Sequence, residues 1–262
     1  MTTPIQQENP FTKELFIFDL DGTLARSKTA MDSEMDTLLS QLLEKHHVAV
    51  IGGGWFPVFK RQLLDNLTCP ESYLERLHLM PTSSSRYLRY KNGEWETMYA
   101  LELTVEERKL IADTFEQAFK TVGYVHPEKT YGELIEDRGT QITFSALGQE
   151  APIELKEAWS GSALDRRQEI VNVMKPLLPE FEIKLPGTTS IDITRKGVDK
   201  GYGVEQLHER LGIPINQMVF VGDALYPGGN DEPVKRTGIE AIPVKDVEET
   251  KTRIRTWLEN MG

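Results

Sequence analysis

A single cysteine, Cys69, occurs in the 262 residues. No internal disulfide can form, and the chain suits a reducing compartment. Pro70 follows that cysteine and no histidine lies close in sequence, so the thiol reads as a packing group. Nowhere does an apolar run approach the ~20 residues that a membrane-crossing helix needs. Residues 1–10 lack both a basic start and an apolar stretch; they predict a frayed polar tail rather than a signal peptide, with the cytoplasm as the expected location. Cations are also scarce, 30 Lys and Arg against 41 Asp and Glu, for a formal charge of −11. Nucleic acid and anionic membrane both require a basic face, so neither fits as the main partner. An acidic chain that handles an anion must gather its few cations in one place.

What is present begins with residues 15–18, Leu-Phe-Ile-Phe, four apolar residues without polar alternation. Such a run predicts a strand buried on both faces, as in a parallel sheet. Asp19, Asp21 and Gly22 follow at once, where an α/β sheet places its ligands. A strand of the same kind recurs at residues 218–221, running into Gly222-Asp223 and then Pro227-Gly228-Gly229-Asn230-Asp231. Two such strands could bring Asp19, Asp21, Asp223 and Asp231 to one sheet edge. Clustered carboxylates repel, and a hard divalent cation with oxygen ligands, most often magnesium, relieves that repulsion.

The length allows one large or two modest domains. Apolar residues from Met31 to Leu43 recur at helical spacing and predict a helix ending near Lys45-His46-His47. Adjacent histidines would point to different sides of that helix, which argues against a metal pair there. Residues 48–51 predict a second buried strand, ending in Gly52-Gly53-Gly54. A dinucleotide-binding loop would need a third glycine where Pro57 stands, and no acid closes a clear following strand. Residues 80–85, rich in Ser and Thr, predict a linker. Beyond it the pattern changes: a hairpin turning at Asn92-Gly93, a capping box of Thr104 and Glu107 opening a helix with Val105, Ile111, Phe115, Phe119 and Val122 on one face, and a second hairpin around Arg138-Gly139. A helix over 164–178 and strands near Ile183 and Ile191 complete an α+β module. After it come a helix over 203–211, the 218–221 strand, a short helix over 232–237, a strand over 239–244 and a closing helix over 247–261.

Residues Phe18-Asp19-Leu20-Asp21-Gly22-Thr23-Leu24 resemble the first motif of the haloacid dehalogenase superfamily of phosphohydrolases and phosphomutases. Val198-Asp199-Lys200-Gly201 is similar to the lysine motif of its cap-bearing sugar phosphatase branch, subfamily IIB. Gly222-Asp223 through Asn230-Asp231 resembles its acidic motif, and the Pro-Gly-Gly-Asn-Asp ending is most similar to that of eukaryotic-type phosphomannomutases. The resemblance implies an α/β fold: a Rossmann-like parallel-sheet core from residues 1–85 and 195–262, interrupted by an inserted α+β cap of the C2 type over 86–194. It implies Asp19 as nucleophile, Asp21 as general acid and then base, and Lys200 as a neutralising cation. Magnesium would be held by Asp19, Asp223 and the backbone carbonyl of Asp21. Gly52 and Gly53 would bind phosphate through backbone N–H groups, while Asn230 and Asp231 would hold metal-bound water or the lysine ammonium. In the cap, Arg138, Ser190 and Asp192 stand at positions that contact the sugar phosphate in phosphomannomutases.

Chemistry agrees with that assignment. A carboxylate nucleophile forms a mixed anhydride that water can cleave, so one difficult displacement becomes two easier ones. Its approach to a phosphate dianion requires positive charge, which metal and lysine would supply. Two departures matter. Phosphomannomutases have an arginine after the glycine of the second cap hairpin, whereas here Gln149 follows Gly148; and Arg26 and Lys28 only approximate another arginine near the first motif. A mutase must hold a bisphosphorylated sugar at both ends, so losing an anchor favours hydrolysis. The expected protein is a magnesium-dependent phosphatase acting on a phosphorylated sugar or similar small metabolite. A phosphomannomutase is the alternative; a non-catalytic phosphate-binding regulator is a third, against which the intact Asp19, Asp21, Lys200 and Asp223 set argues. The resemblance leaves open a homodimer through the cap.

Overall fold

A computed structural model describes residues 13–261, and the tail expected at residues 1–10 lies outside them. Two compact units form, one from the described residues up to 98 and from 199 onward, the other from residues 99–198.

In the first unit the apolar run becomes β1 (Leu15–Asp19), fully buried along its length. Helix α1 (Ser33–Lys45) follows, its first turn capped by the Asp32 carboxylate, which accepts the Met35 N–H. Met35, Leu38, Leu39, Leu42 and Leu43 turn inward, the stripe that helical spacing demands. Strand β2 (His47–Ile51), the short α2 (Phe56–Gln62), β3 (Leu77–Met80), β4 (Arg86–Lys91) and β5 (Glu94–Ala100) come next. The predicted linker is instead a buried turn. Thr82, Ser84 and Ser85 are enclosed, Ser85 Oγ donates to Thr82 O, and the Thr82 and Ser83 N–H groups bond the Gly54 and Gly52 carbonyls. Its polar composition reflects hydrogen bonding inside the fold rather than solvation.

The second unit contains α3 (Val105–Val122), β6 (Ile135–Asp137), β7 (Ile142–Ser145), α4 (Ile153–Trp159), α5 (Arg167–Met174), β8 (Phe181–Lys184) and β9 (Ser190–Arg195). Its sheet runs β6-β7-β9-β8, all neighbours antiparallel. Ile142, Phe144, Ile191 and Ile193 enter one apolar core with Ile111, Phe115 and Phe119 of α3. The capping box forms as expected, with reciprocal bonds between Thr104 and Glu107. Val105 departs from the expected buried face and is 75% exposed, because it begins the helix ahead of the first packed turn.

The chain re-enters the first unit through α6 (Lys200–Leu211), β10 (Met218–Gly222), β11 (Glu240–Pro243) and α7 (Val247–Met261). The core sheet runs β11-β10-β1-β2-β3-β4-β5, parallel from β11 to β3 and antiparallel at β4. Since β1 to β3 progress one way from the centre and β10 to β11 the other, the strand order reverses between β1 and β10. A crevice opens outside the strand ends at such a point.

One expectation on architecture changes. The hairpin turning at Asn92-Gly93 forms, both turn residues having positive φ (53° and 85°) as a primed turn requires. It does not open the cap, though. Leu88 of β4 pairs with Leu79 of β3, so the hairpin extends the core sheet, and the second unit begins at Tyr99 and ends at Val198 rather than spanning 86–194.

Candidate active site

Asp19 ends β1, and Lys200 begins α6. The lysine is 1% exposed, and its Nζ donates to Asp19 Oδ1 and to Asp231 Oδ1. The second Asp231 oxygen accepts the Ala224 N–H at 2.9 Å, which fixes that carboxylate from both sides. Lys200 is itself held by its helix end. Asp199 caps α6 by accepting the Tyr202 N–H at 3.0 Å and also receives both Arg236 Nη groups at 2.7 Å. The helix starts three residues before the residue 203 expected from sequence, because the Asp199 cap fixes its first turn. Gly201 is there for room: a Cβ on it would lie 2.5 Å from the Pro233 carbonyl.

Asp223, just past β10, completes the group and is the more open to solvent. One carboxylate oxygen from each of Asp19, Asp223 and Asp231 lies within 4.8 Å of the others. Gly22 makes this approach feasible, since a Cβ there would sit 2.4 Å from Asp223 Oδ2 and its φ of 86° suits glycine. Burial pushes the Asp19 carboxyl up to about 8; the Lys200 ammonium pulls it back and Asp231 raises it further. Burial, then Asp231, also raise Asp223. For Lys200, burial alone would favour the neutral amine, but its two carboxylate partners outweigh that and hold it protonated. Once ionised, the three carboxylates outnumber the single ammonium, and an all-oxygen donor set of this kind fits a hard divalent cation that displaces the bound protons.

The Asp21 side chain is held by the loop that follows it and by the end of α2. Its Oδ1 accepts the Lys28 backbone N–H at 2.7 Å and Gln62 Nε2 at 3.1 Å. Gly52 donates its N–H to Met80 O at 3.3 Å, so that amide extends the sheet ladder and is not a spare phosphate donor; Gly53 lies beside it. Asn230 is exposed next to Asp231 and makes no hydrogen bond to Asp19 or Lys200 among those described. In the second unit Ser190 and Asp192 share the face of β9 opposite Ile191 and Ile193. Asp192 accepts the Thr143 hydroxyl at 2.8 Å, and the Ser190 carbonyl accepts Arg167 Nη1 at 3.4 Å. Arg138 pairs with Glu136 at 2.6 Å and reaches Gln149 Oε1 at 3.4 Å. A buried cation that sequence reading passed over, Lys156 on α4, donates to Gln149 O at 2.8 Å. Nothing in its sequence context singles it out, because no amphipathic stripe marks the short helix that carries it.

The profile of the haloacid dehalogenase-like hydrolase family matches residues 16–231, and the chain belongs to that family. The chain is an enzyme of the phosphohydrolase or phosphomutase kind. Among characterised relatives it is similar to phosphomannomutases. It is 25% identical over 266 residues to that of Encephalitozoon cuniculi, covering 95% of each chain. Phosphomannomutase 1 of Homo sapiens is 26% identical over 223 residues, 83% of this chain and 81% of that one. Among solved structures, the fold is shared with a Plasmodium falciparum IMP-nucleotidase (TM-score 0.69, 16% identity, 95% of this chain and 71% of that one). It is shared also with an Aspergillus fumigatus trehalose-6-phosphate phosphatase (TM-score 0.57, 15% identity, 96% and 95%). Among the described residues, no helix is long and apolar enough to cross a membrane.

Proposed function

We propose that this protein is a magnesium-dependent phosphatase that hydrolyses a phosphorylated sugar or similar small phosphometabolite through an aspartyl-phosphate intermediate. The observation that carries the reading is the junction of Asp19 with Lys200, Asp231 and Asp223 at the point where the strand order reverses. Magnesium would be held by Asp19 and Asp223 with the Asp21 carbonyl, and when bound it would lower the charge facing an incoming phosphate. Lys200 holds one Asp19 oxygen and so orients the other for in-line attack on phosphorus. Asp231 keeps the ammonium in place. Asp21 gives a proton to the departing oxygen and then takes one from the water that cleaves the acyl phosphate.

Selection among phosphate esters is assigned to the cap, through Arg138, Ser190 and Asp192. Hydrolysis is favoured over mutase action by Gln149. It stands beside Arg138 where phosphomannomutases carry an arginine, and a neutral amide binds a phosphate dianion less strongly than a guanidinium fork. The mutase reading keeps one observation in its favour: full-length similarity to phosphomannomutases. Incubation with mannose 1-phosphate and magnesium separates the two. Free phosphate is expected, with Asp19→Asn reducing release to background while circular dichroism stays unchanged. Mannose 6-phosphate formed in the presence of a hexose bisphosphate, without net phosphate release, would instead establish the mutase.

A further inference from the structure

Gln62 ends α2 and is wholly buried, 0% exposed. Both contacts of its Nε2 are to acceptors, Asp21 Oδ1 at 3.1 Å and the Thr29 carbonyl at 3.1 Å, so the amide can face only one way. Its Oε1 is buried and, among the described residues, has no hydrogen-bond partner. An orphaned buried oxygen is destabilising, and a methionine or leucine of similar volume would pack there without it. Packing therefore does not explain the amide.

We infer that Gln62 is a positioning residue for the general acid: its amide holds Asp21 so that one carboxyl oxygen stays free to meet the substrate's departing oxygen. The inference rests on the role proposed for Asp21. Two further features of the loop point the same way. Lys28 adopts a left-handed backbone, φ 60°, which aims its N–H at the same Asp21 Oδ1. Behind it, the Gly22 N–H bonds Ala25 O at 2.7 Å and the Met31 N–H bonds Gln62 O at 2.8 Å, so strand end, loop and helix end are stitched together around the carboxyl group. With Oδ1 occupied by two donors, Oδ2 is the oxygen left to face the departing group, and none of the described residues donates to it. In the transfer step an Asp19 oxygen bonds to phosphorus, the ester P–O bond breaks, and the Oδ2 proton passes to the departing alkoxide. Release of Asp21 from Gln62 would let the carboxyl rotate out of line.

The test compares leaving groups in the full-length protein with magnesium present. Mannose 6-phosphate leaves as an alkoxide that needs a proton; p-nitrophenyl phosphate leaves as a stabilised phenolate that does not. The quantity is kcat/KM, which reports events up to phosphorylation of Asp19. Gln62→Met is expected to lower it about 10- to 100-fold on mannose 6-phosphate and less than about 3-fold on p-nitrophenyl phosphate. The retained aryl phosphate activity also certifies a folded site. Asp21→Asn should show the same asymmetry, and the double variant should be no worse than Asp21→Asn alone. Equal losses on both substrates, or losses that multiply in the double variant, would overturn the positioning role and leave Gln62 a structural staple. Should Gln62→Met not fold, Gln62→Asn keeps an amide inside but draws it back from Asp21, and the same asymmetry is expected. If Asp21→Asn itself treats both substrates alike, the general-acid assignment fails first, and the role of Gln62 falls with it.

Discussion

Burial and the neighbouring Asp231 raise the Asp19 carboxyl, and its titration yields a prediction. Its folded-state value, about 8, lies above the 3.8 of an exposed carboxyl. A raised value means that the folded, metal-free protein binds this proton more tightly than the unfolded chain does. The resulting stability is complete in acid and is lost as pH rises through 8. Asp223 is shifted in the same direction and adds to the slope. A divalent cation competes with those protons, so the rise in melting temperature produced by magnesium should grow from pH 5 to pH 8. Scanning calorimetry in chelator and in magnesium measures it, and Asp19→Asn should flatten the dependence. A magnesium effect that ignores pH would contradict the assignment of Asp19 as a ligand. Asp19 and Asp223 were legible in the sequence because each follows a strongly patterned apolar strand, and Lys200 was legible only through the resemblance of Val198-Asp199-Lys200-Gly201 to a family motif. Gln62 and Lys156 were not, since nothing in a run such as Phe59-Lys60-Arg61-Gln62 distinguishes a buried amide from a solvated one.

Between β1 and β10 the geometry depends on a residue with no side chain. Gly22→Ala would place a methyl 2.4 Å from Asp223 Oδ2 in a backbone conformation that alanine rarely adopts. Asp223 would have to withdraw, with an expected 10- to 100-fold fall in magnesium affinity by analogy with lost supporting contacts at metal sites. The half-saturating magnesium concentration for turnover measures it; an unchanged value would mean that Asp223 does not share the ion. At this scale most strands and helices followed from apolar spacing, and α7 spans residues 247–261 as expected. Helix α4 went unseen: its seven residues leave Ile153 and Leu155 largely exposed, so no amphipathic stripe marks it. The hairpin β4–β5 was recognised but assigned to the wrong layer. Its turn is encoded locally by Asn92-Gly93, whereas its pairing with β3 is decided by tertiary contact.

Across the whole molecule, each unit has its own apolar core. Phe144 lies within ring-centroid distances of 5.1 to 5.9 Å of Phe119, Phe115 and Tyr124, all in the second unit. Phe144→Ala is expected to cost about 3–5 kcal/mol there. Hydrogen exchange should then quicken in α3, β7 and β9 while β1 and β10 keep their protection. Uniform loss across both sheets would show a single cooperative unit instead.

The central position of β1 also bears on how the protein is made. One edge of this strand is completed by β10, which leaves the ribosome roughly 200 residues later; at about 5–20 residues per second the wait lasts some tens of seconds. Throughout that interval an apolar ribbon carrying the proposed nucleophile has an open side, the kind of surface that chaperones shield and that neighbouring nascent chains can zip onto. A polypeptide broken off before β10 would therefore be both inert and sticky, so catalytic competence doubles as a certificate that translation ran to β10.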